Sequence, residues 1–104
     1  MGKLVRDKIP DLIRASGRTA EVRQLDERDF LAALLNKLTE EARELRRADS
    51  TDAILEEAAD VLEVLSSIAA LHGYTLDDIV QAGFDKRSKI GGFDKRVWLE
   101  HVRP

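Results

Sequence analysis

Five carboxylates near the middle of the chain stand at spacings that chemistry can use. Residues 40–44 read EEARE and residues 57–60 read EAAD. Glu41 and Glu44, and again Glu57 and Asp60, are therefore three residues apart, the separation that places two side chains on one face of a helix. At about 100° per residue, Glu41 projects between Phe30 and Leu34, and Glu57 between Val64 and Ile68, directions that the surrounding pattern gives to apolar side chains. Glu44 lies about 60° from Glu41, near the edge of the same stripe, and Asp60 points beside Leu71. Glu56 and Glu63 fall opposite the apolar arc and read as an ordinary solvated face. Carboxylates buried together are costly unless each is neutralised. Lys37 and Arg43 are the nearest counter-charges in sequence and cannot neutralise four acids. A divalent cation can, because carboxylate oxygens with open positions for water and phosphate are hard ligation suited to Mg²⁺, with Mn²⁺ as the alternative. Mg²⁺ is usually held jointly by carboxylates and substrate phosphates, so the expected use is phosphate chemistry.

Two helices must carry these groups. Asp26 is a candidate N-cap, after which Phe30, Leu31, Leu34, Leu35, Leu38 and Leu45 recur at helical spacing to about Ala48. Residues 49–51, DST, break that helix and cap the next. The second runs from about Asp52 to His72, with Ile54, Leu55, Val61, Leu62, Leu65, Ile68 and Ala69 on its apolar side and Gly73 just past its end. Long helices with a short connection form an antiparallel hairpin, and in that hairpin the two acidic pairs face each other. Thr75 with Asp78 resembles a capping box for a shorter third helix, 76 to about 89, ended by Gly91 and Gly92. Before the hairpin, Ile9, Leu12 and Ile13 suggest a turn of helix, Pro10 and Gly17 a loop around it, and 20–25 a short extended stretch. The expected fold class is all-α. The apolar arcs of both long helices are wider than one buried face needs. Hairpins are therefore expected to pair into a four-helix-bundle core, as a homodimer or dimer of dimers.

With 104 residues and 43% hydrophobic content the chain suits one modest domain. It has no cysteine, which excludes disulfides, thiolate metal sites and cysteine nucleophiles. No apolar run approaches the ~20 residues of a membrane span, and the charged start MGKLVRDKIP does not read as a signal peptide. A cytoplasmic protein without membrane association is expected. The net charge of −3 is unevenly spread. Residues 1–23 carry six basic and three acidic side chains, residues 85–104 the same, and residues 24–84 five basic against fourteen acidic. An acidic chain is ill suited to a nucleic-acid polymer, whereas a small polyanion held through a divalent cation suits both the acidic middle and the basic ends.

EEARE at 40–44 followed by EAAD at 57–60 resembles the EExxE…ExxD signature of the all-α MazG-like nucleoside triphosphate pyrophosphohydrolases, whose superfamily includes phosphoribosyl-ATP pyrophosphohydrolases and all-α dUTPases. KLVRDKIP at 3–10, and KR with GGF at 86–93, resemble a small single-domain branch of it, so the likeness extends over nearly the whole of 1–104. That branch typically reads RGGF, where this chain has Ile90 before Gly91. The resemblance implies Mg²⁺-dependent hydrolysis of a nucleoside triphosphate to monophosphate and pyrophosphate, as in the clearing of non-standard nucleotides. It makes Glu41, Glu44, Glu57 and Asp60 the metal ligands, and gives Glu40 a role in accepting a proton from the attacking water or holding a second metal. Phosphoribosyl-ATP hydrolysis in histidine synthesis is the neighbouring alternative. A non-catalytic helical dimerisation or nucleotide-sensing module is the alternative of another class.

For the phosphate tail the candidates are Lys3, Arg6 and Lys8 at one end of the chain, Lys86, Arg87 and Lys89 at the other, and Lys37 within the hairpin. Gly91 and Gly92 read first as a helix stop. His72 and His101 suit capping or solvent and take no chemistry. Phe30, Phe84, Phe93 and Trp98 read as core or interface more readily than as a stacking platform for a base.

Overall fold

A computed structural model describes residues 2–104. It contains α1 (Ile9–Ala15), α2 (Glu27–Arg47), α3 (Thr51–Leu71) and α4 (Leu76–Ile90), with no strand among the described residues. The all-α expectation holds, and the turn of helix expected near Ile9 is a short helix with Pro10 in its first turn, where a missing N–H costs nothing. Residues 20–25 are irregular and pair with no neighbouring strand.

The boundaries follow from local chemistry. Asp26 accepts from the Asp29 N–H at 2.8 Å and starts α2. Ser50 accepts from the Ala53 N–H at 3.1 Å and starts α3, so three residues, 48–50, separate two helices of 21 residues each. The end of α3 is a Schellman turn: Gly73 at φ 82° lets the Tyr74 N–H reach Ala69 O at 2.9 Å, and its own N–H bonds to Ala70 O. Thr75 and Asp78 form the reciprocal capping box of α4. Gly91, at φ 84°, is its C-cap and donates to Arg87 O, so the first glycine of the pair is a helix stop.

Helix–helix packing is confined to α2 with α3 and, to a smaller extent, α3 with α4. Among the described residues Leu34 and Val64 are the two buried apolar side chains, at 3% and 7% exposure. Leu35, Ile54, Leu55, Leu62 and Leu65 remain exposed on the hairpin, as do Phe84, Phe93 and Trp98 beyond it. None of these three aromatics is in the protomer's core. The molecule measures 63 × 35 × 24 Å with a radius of gyration of 18.1 Å, against about 13 Å for a compact domain of this length.

Candidate metal centre

The hairpin register builds the site. Glu41 lies seven residues after Leu34 on α2, and Glu57 seven residues before Val64 on α3. In antiparallel helices that symmetry sets Glu41 opposite Glu57, two turns along the same stripe from the buried apolar pair. Glu41, Glu57 and Asp60 each offer a carboxylate oxygen within 4.8 Å of the others. All three are half-buried, and Glu57 Oε2 is wholly buried with no hydrogen-bond partner. The cost of charge here is carried by Glu57. Its carboxyl is pushed above the usual carboxylate range, first by desolvation, then by a hydrogen bond with Glu41, and then by the negative charges of Glu41, Asp60 and Glu44.

Three of the four acids singled out by sequence thus meet in one cluster. Glu44 is close enough for its charge to be felt at Glu57, but it stands outside the three-residue group and pairs with Arg47 one turn on, at 3.4 Å. Glu40 is more exposed and shares Lys37 with Glu41, both at 3.6 Å. Of the two counter-charges that sequence named on the hairpin, Lys37, 24% exposed, reaches the acids, whereas Arg43 is in none of the ion pairs among the described residues.

The second counter-charge was not legible from the hairpin. Arg6, 54 residues away in sequence, donates from Nη2 to Asp60 Oδ1 at 2.6 Å, and its Nη1 is 3.9 Å from Glu63 Oε1. Sequence marked Arg6 as a basic residue for phosphate; nothing in its spacing revealed which helix it would meet. Leu4, Val5, Arg6 and Asp7 cross the hairpin and enclose a cavity of about 300 Å³ with Phe30, Leu34, Lys37, Glu41 and Asp60 among its other walls. Lys3 and Lys8, flanking that segment, do not line it. Nor do Lys86, Arg87 and Lys89. Arg87 pairs instead with Asp94 at 3.1 Å and lies against Gly92, and Ile90, in the position where the similar branch has arginine, is exposed. His72 caps α3, its Nδ1 2.8 Å from Ile68 O, as the sequence suggested.

The donor set fits a hard divalent cation. It is all oxygen, it comes from two rigid helices, and it includes an orphaned buried carboxylate oxygen, a group that folded proteins rarely leave without a partner. Arg6 and Lys37 offset part of the negative charge at the rim, and neither reaches that oxygen within hydrogen-bond distance.

No protein-family model and no solved structure matches the chain. The chain is similar to an uncharacterized protein of Mycolicibacterium smegmatis (strain ATCC 700084 / mc(2)155), with 59% identity over 56 residues, a stretch that is 54% of this chain and 57% of that protein. The match thus spans little more than half of either one.

Proposed function

We propose that the protein is a Mg²⁺-dependent nucleotide pyrophosphohydrolase that cleaves a nucleoside triphosphate to monophosphate and pyrophosphate. The observation that carries this reading is the meeting of Glu41, Glu57 and Asp60 around the unpartnered Glu57 oxygen. Phosphate as the substrate group follows from the cation's chemistry and from the neighbouring guanidinium of Arg6. The choice of the bond that breaks follows from the resemblance of EEARE and EAAD to the MazG-like signature.

A bound Mg²⁺ or Mn²⁺ supplies Lewis-acid charge to phosphoryl oxygens and a more acidic water. The chain's own groups do the rest. Glu41, Glu57 and Asp60 would hold that charge, from two helices packed through Leu34 and Val64. Glu40, paired with Lys37 at the rim, would take a proton from the attacking water in this reading. Lys37 and Arg6 present cationic donors to the oxygens of the polyphosphate. Glu44, paired with Arg47 at 3.4 Å, would join the ligands only by giving up that pair.

The working form in this reading is a homo-oligomer in which two hairpins complete a four-helix bundle. The protomer exposes 9676 Å², where a compact monomer of this length exposes about 5,900 Å². The exposed Leu35, Ile54, Leu55, Leu62 and Leu65 supply the apolar face that a second copy covers. No helix among the described residues is long and apolar enough to cross a membrane.

The test is to incubate the protein with Mg²⁺ and a panel of ribonucleoside and deoxyribonucleoside triphosphates and phosphoribosyl-ATP, and to identify the products. The expected result is monophosphate with pyrophosphate from at least one nucleoside triphosphate. Turnover of phosphoribosyl-ATP alone moves the assignment to histidine synthesis. Binding without turnover across the panel points to a sensing module.

A further inference from the structure

Asp60 serves two partners. It belongs to the carboxylate triad with Glu41 and Glu57, and it also holds the Arg6 guanidinium at 2.6 Å. Of the ion pairs formed by Leu4–Asp7 across the cavity, Arg6 with Asp60 is the short one, Glu63 standing farther off at 3.9 Å. Leu4 and Val5 are half-buried along the cavity wall with Phe30 and Leu34, but no helix packing holds this end of the chain, since α1, which follows directly, packs against no other helix. The pair is also partly solvated, with side-chain exposures of 58% for Arg6 and 38% for Asp60. An exposed pair of this kind is weak enough to exchange partners.

We propose that Arg6 is a latch coupled to the cation. A divalent ion on the triad and a guanidinium on Asp60 repel at close range and compete for the same carboxylate, so each weakens the other's hold. A phosphate drawn to the cation offers the displaced guanidinium a new anionic partner, which fits its planar fork. Cation and phosphate therefore strengthen each other's binding through Arg6, and by linkage the strengthening is equal in both directions. The free cation binds against the latch, whereas the cation–polyphosphate complex binds with it. Leu4–Asp7 is the segment that moves. This inference rests on the proposed function, because it takes the triad to be the cation site.

The experiment compares the full-length protein with Arg6→Gln, Arg6→Lys and, as a control for loss of a nearby positive charge, Arg47→Gln. Mg²⁺ is titrated calorimetrically alone and again with a saturating α,β-imido nucleoside triphosphate, and amide hydrogen exchange is followed over residues 4–9 with and without Mg²⁺. The Ile9 N–H, bonded to Arg6 O at 3.0 Å, is a built-in reporter of that turn. The latch predicts that Arg6→Gln binds Mg²⁺ alone roughly tenfold more tightly than the parent, with a smaller gain for Arg47→Gln. It also predicts that the cooperativity with the triphosphate is lost in Arg6→Gln and partly restored in Arg6→Lys, and that Mg²⁺ alone speeds exchange over 4–9 in the parent. Mg²⁺ binding by the parent with no tightening in Arg6→Gln, or with unchanged exchange over 4–9, overturns the latch and leaves the cation site standing. Absence of Mg²⁺ and Mn²⁺ binding in the parent overturns the cation site and the latch together.

Discussion

Glu41 and Glu57 face each other across α2 and α3, with carboxylate oxygens within 4.8 Å of one another, at the positions that extend the Leu34–Val64 packing stripe by two turns. Two carboxyls in that relationship favour holding a proton or a cation between them. The folded hairpin positions both through apolar contacts elsewhere, so the site's geometry and its electrostatic cost come from different residues and can be separated by mutation.

Replacing Glu57 by Gln removes a charge with little change of shape. Without added cation the variant should melt higher than the parent, because the charged form of Glu57 is the one that burial and its acidic neighbours disfavour. Added Mg²⁺ or Mn²⁺ should no longer raise its melting temperature, since cation affinity falls by about tenfold or more. Thermal melts followed by circular dichroism, with chelator and with millimolar cation, read both effects. A parent and variant that respond alike to Mg²⁺ would place the cation elsewhere.

The raised pKa of Glu57 sets a pH dependence. Its folded pKa lies above its unfolded value near 4.5, so between the two the folded state holds the extra proton, and the stability this gives is present at low pH and lost as pH rises through the folded pKa. Cation binding runs the other way, because the ligand must be deprotonated. Mg²⁺ affinity should increase with pH across that interval and then level off, with proton release falling to zero on the plateau. Calorimetry in two buffers of different ionisation enthalpy measures the protons released. Affinity independent of pH through that interval would detach Glu57 from the site.

The packing pair is tested independently. Leu34→Ala should cost about 2–5 kcal/mol in urea unfolding, because Leu34 is 3% exposed and its loss leaves a cavity at the hairpin's crossing. Ser50→Ala, which removes the α3 cap, should cost about 1 kcal/mol. Cation binding should survive in the folded fraction of both variants. If Ser50→Ala instead abolished it at full helicity, the triad's geometry would depend on the connection between α2 and α3 and not on the Leu34–Val64 packing alone.

Helix existence, their caps and the acid-bearing stripe were legible because each is encoded within a few residues. Asp26, Ser50, Gly73 and the Thr75–Asp78 box each mark a boundary by local hydrogen bonding. The pairing of Glu41 with Glu57 was legible as well, since a short connection leaves little choice of register. Two features were not. Glu44 has the same spacing from Glu41 as Asp60 has from Glu57, yet its side chain pairs with Arg47, a local competitor that a search for acids overlooks. The Arg6–Asp60 contact depends on how an irregular segment crosses the hairpin, and no periodicity reports that. The basic residues at the other end show the same limit: Lys86, Arg87 and Lys89 were expected near phosphate, and within one protomer they line no part of the carboxylate cavity.

Assembly has its own measurement. Sedimentation equilibrium at micromolar concentration should give a dimer or tetramer, and Leu55→Glu with Leu62→Glu, both on the exposed face of α3, should shift it toward monomer. A monomeric parent would rule out the four-helix bundle.

The carboxylate site is tested most sharply by counting the bound cation itself. Electron paramagnetic resonance of Mn²⁺ titrated into the protein reports free ion against bound ion, without reference to any substrate. Binding should be saturable in the parent, displaced by excess Mg²⁺, and weakened by about tenfold or more in Glu57→Gln and Asp60→Asn. Binding that is absent in the parent, or equal in the parent and both variants, would contradict the carboxylate site.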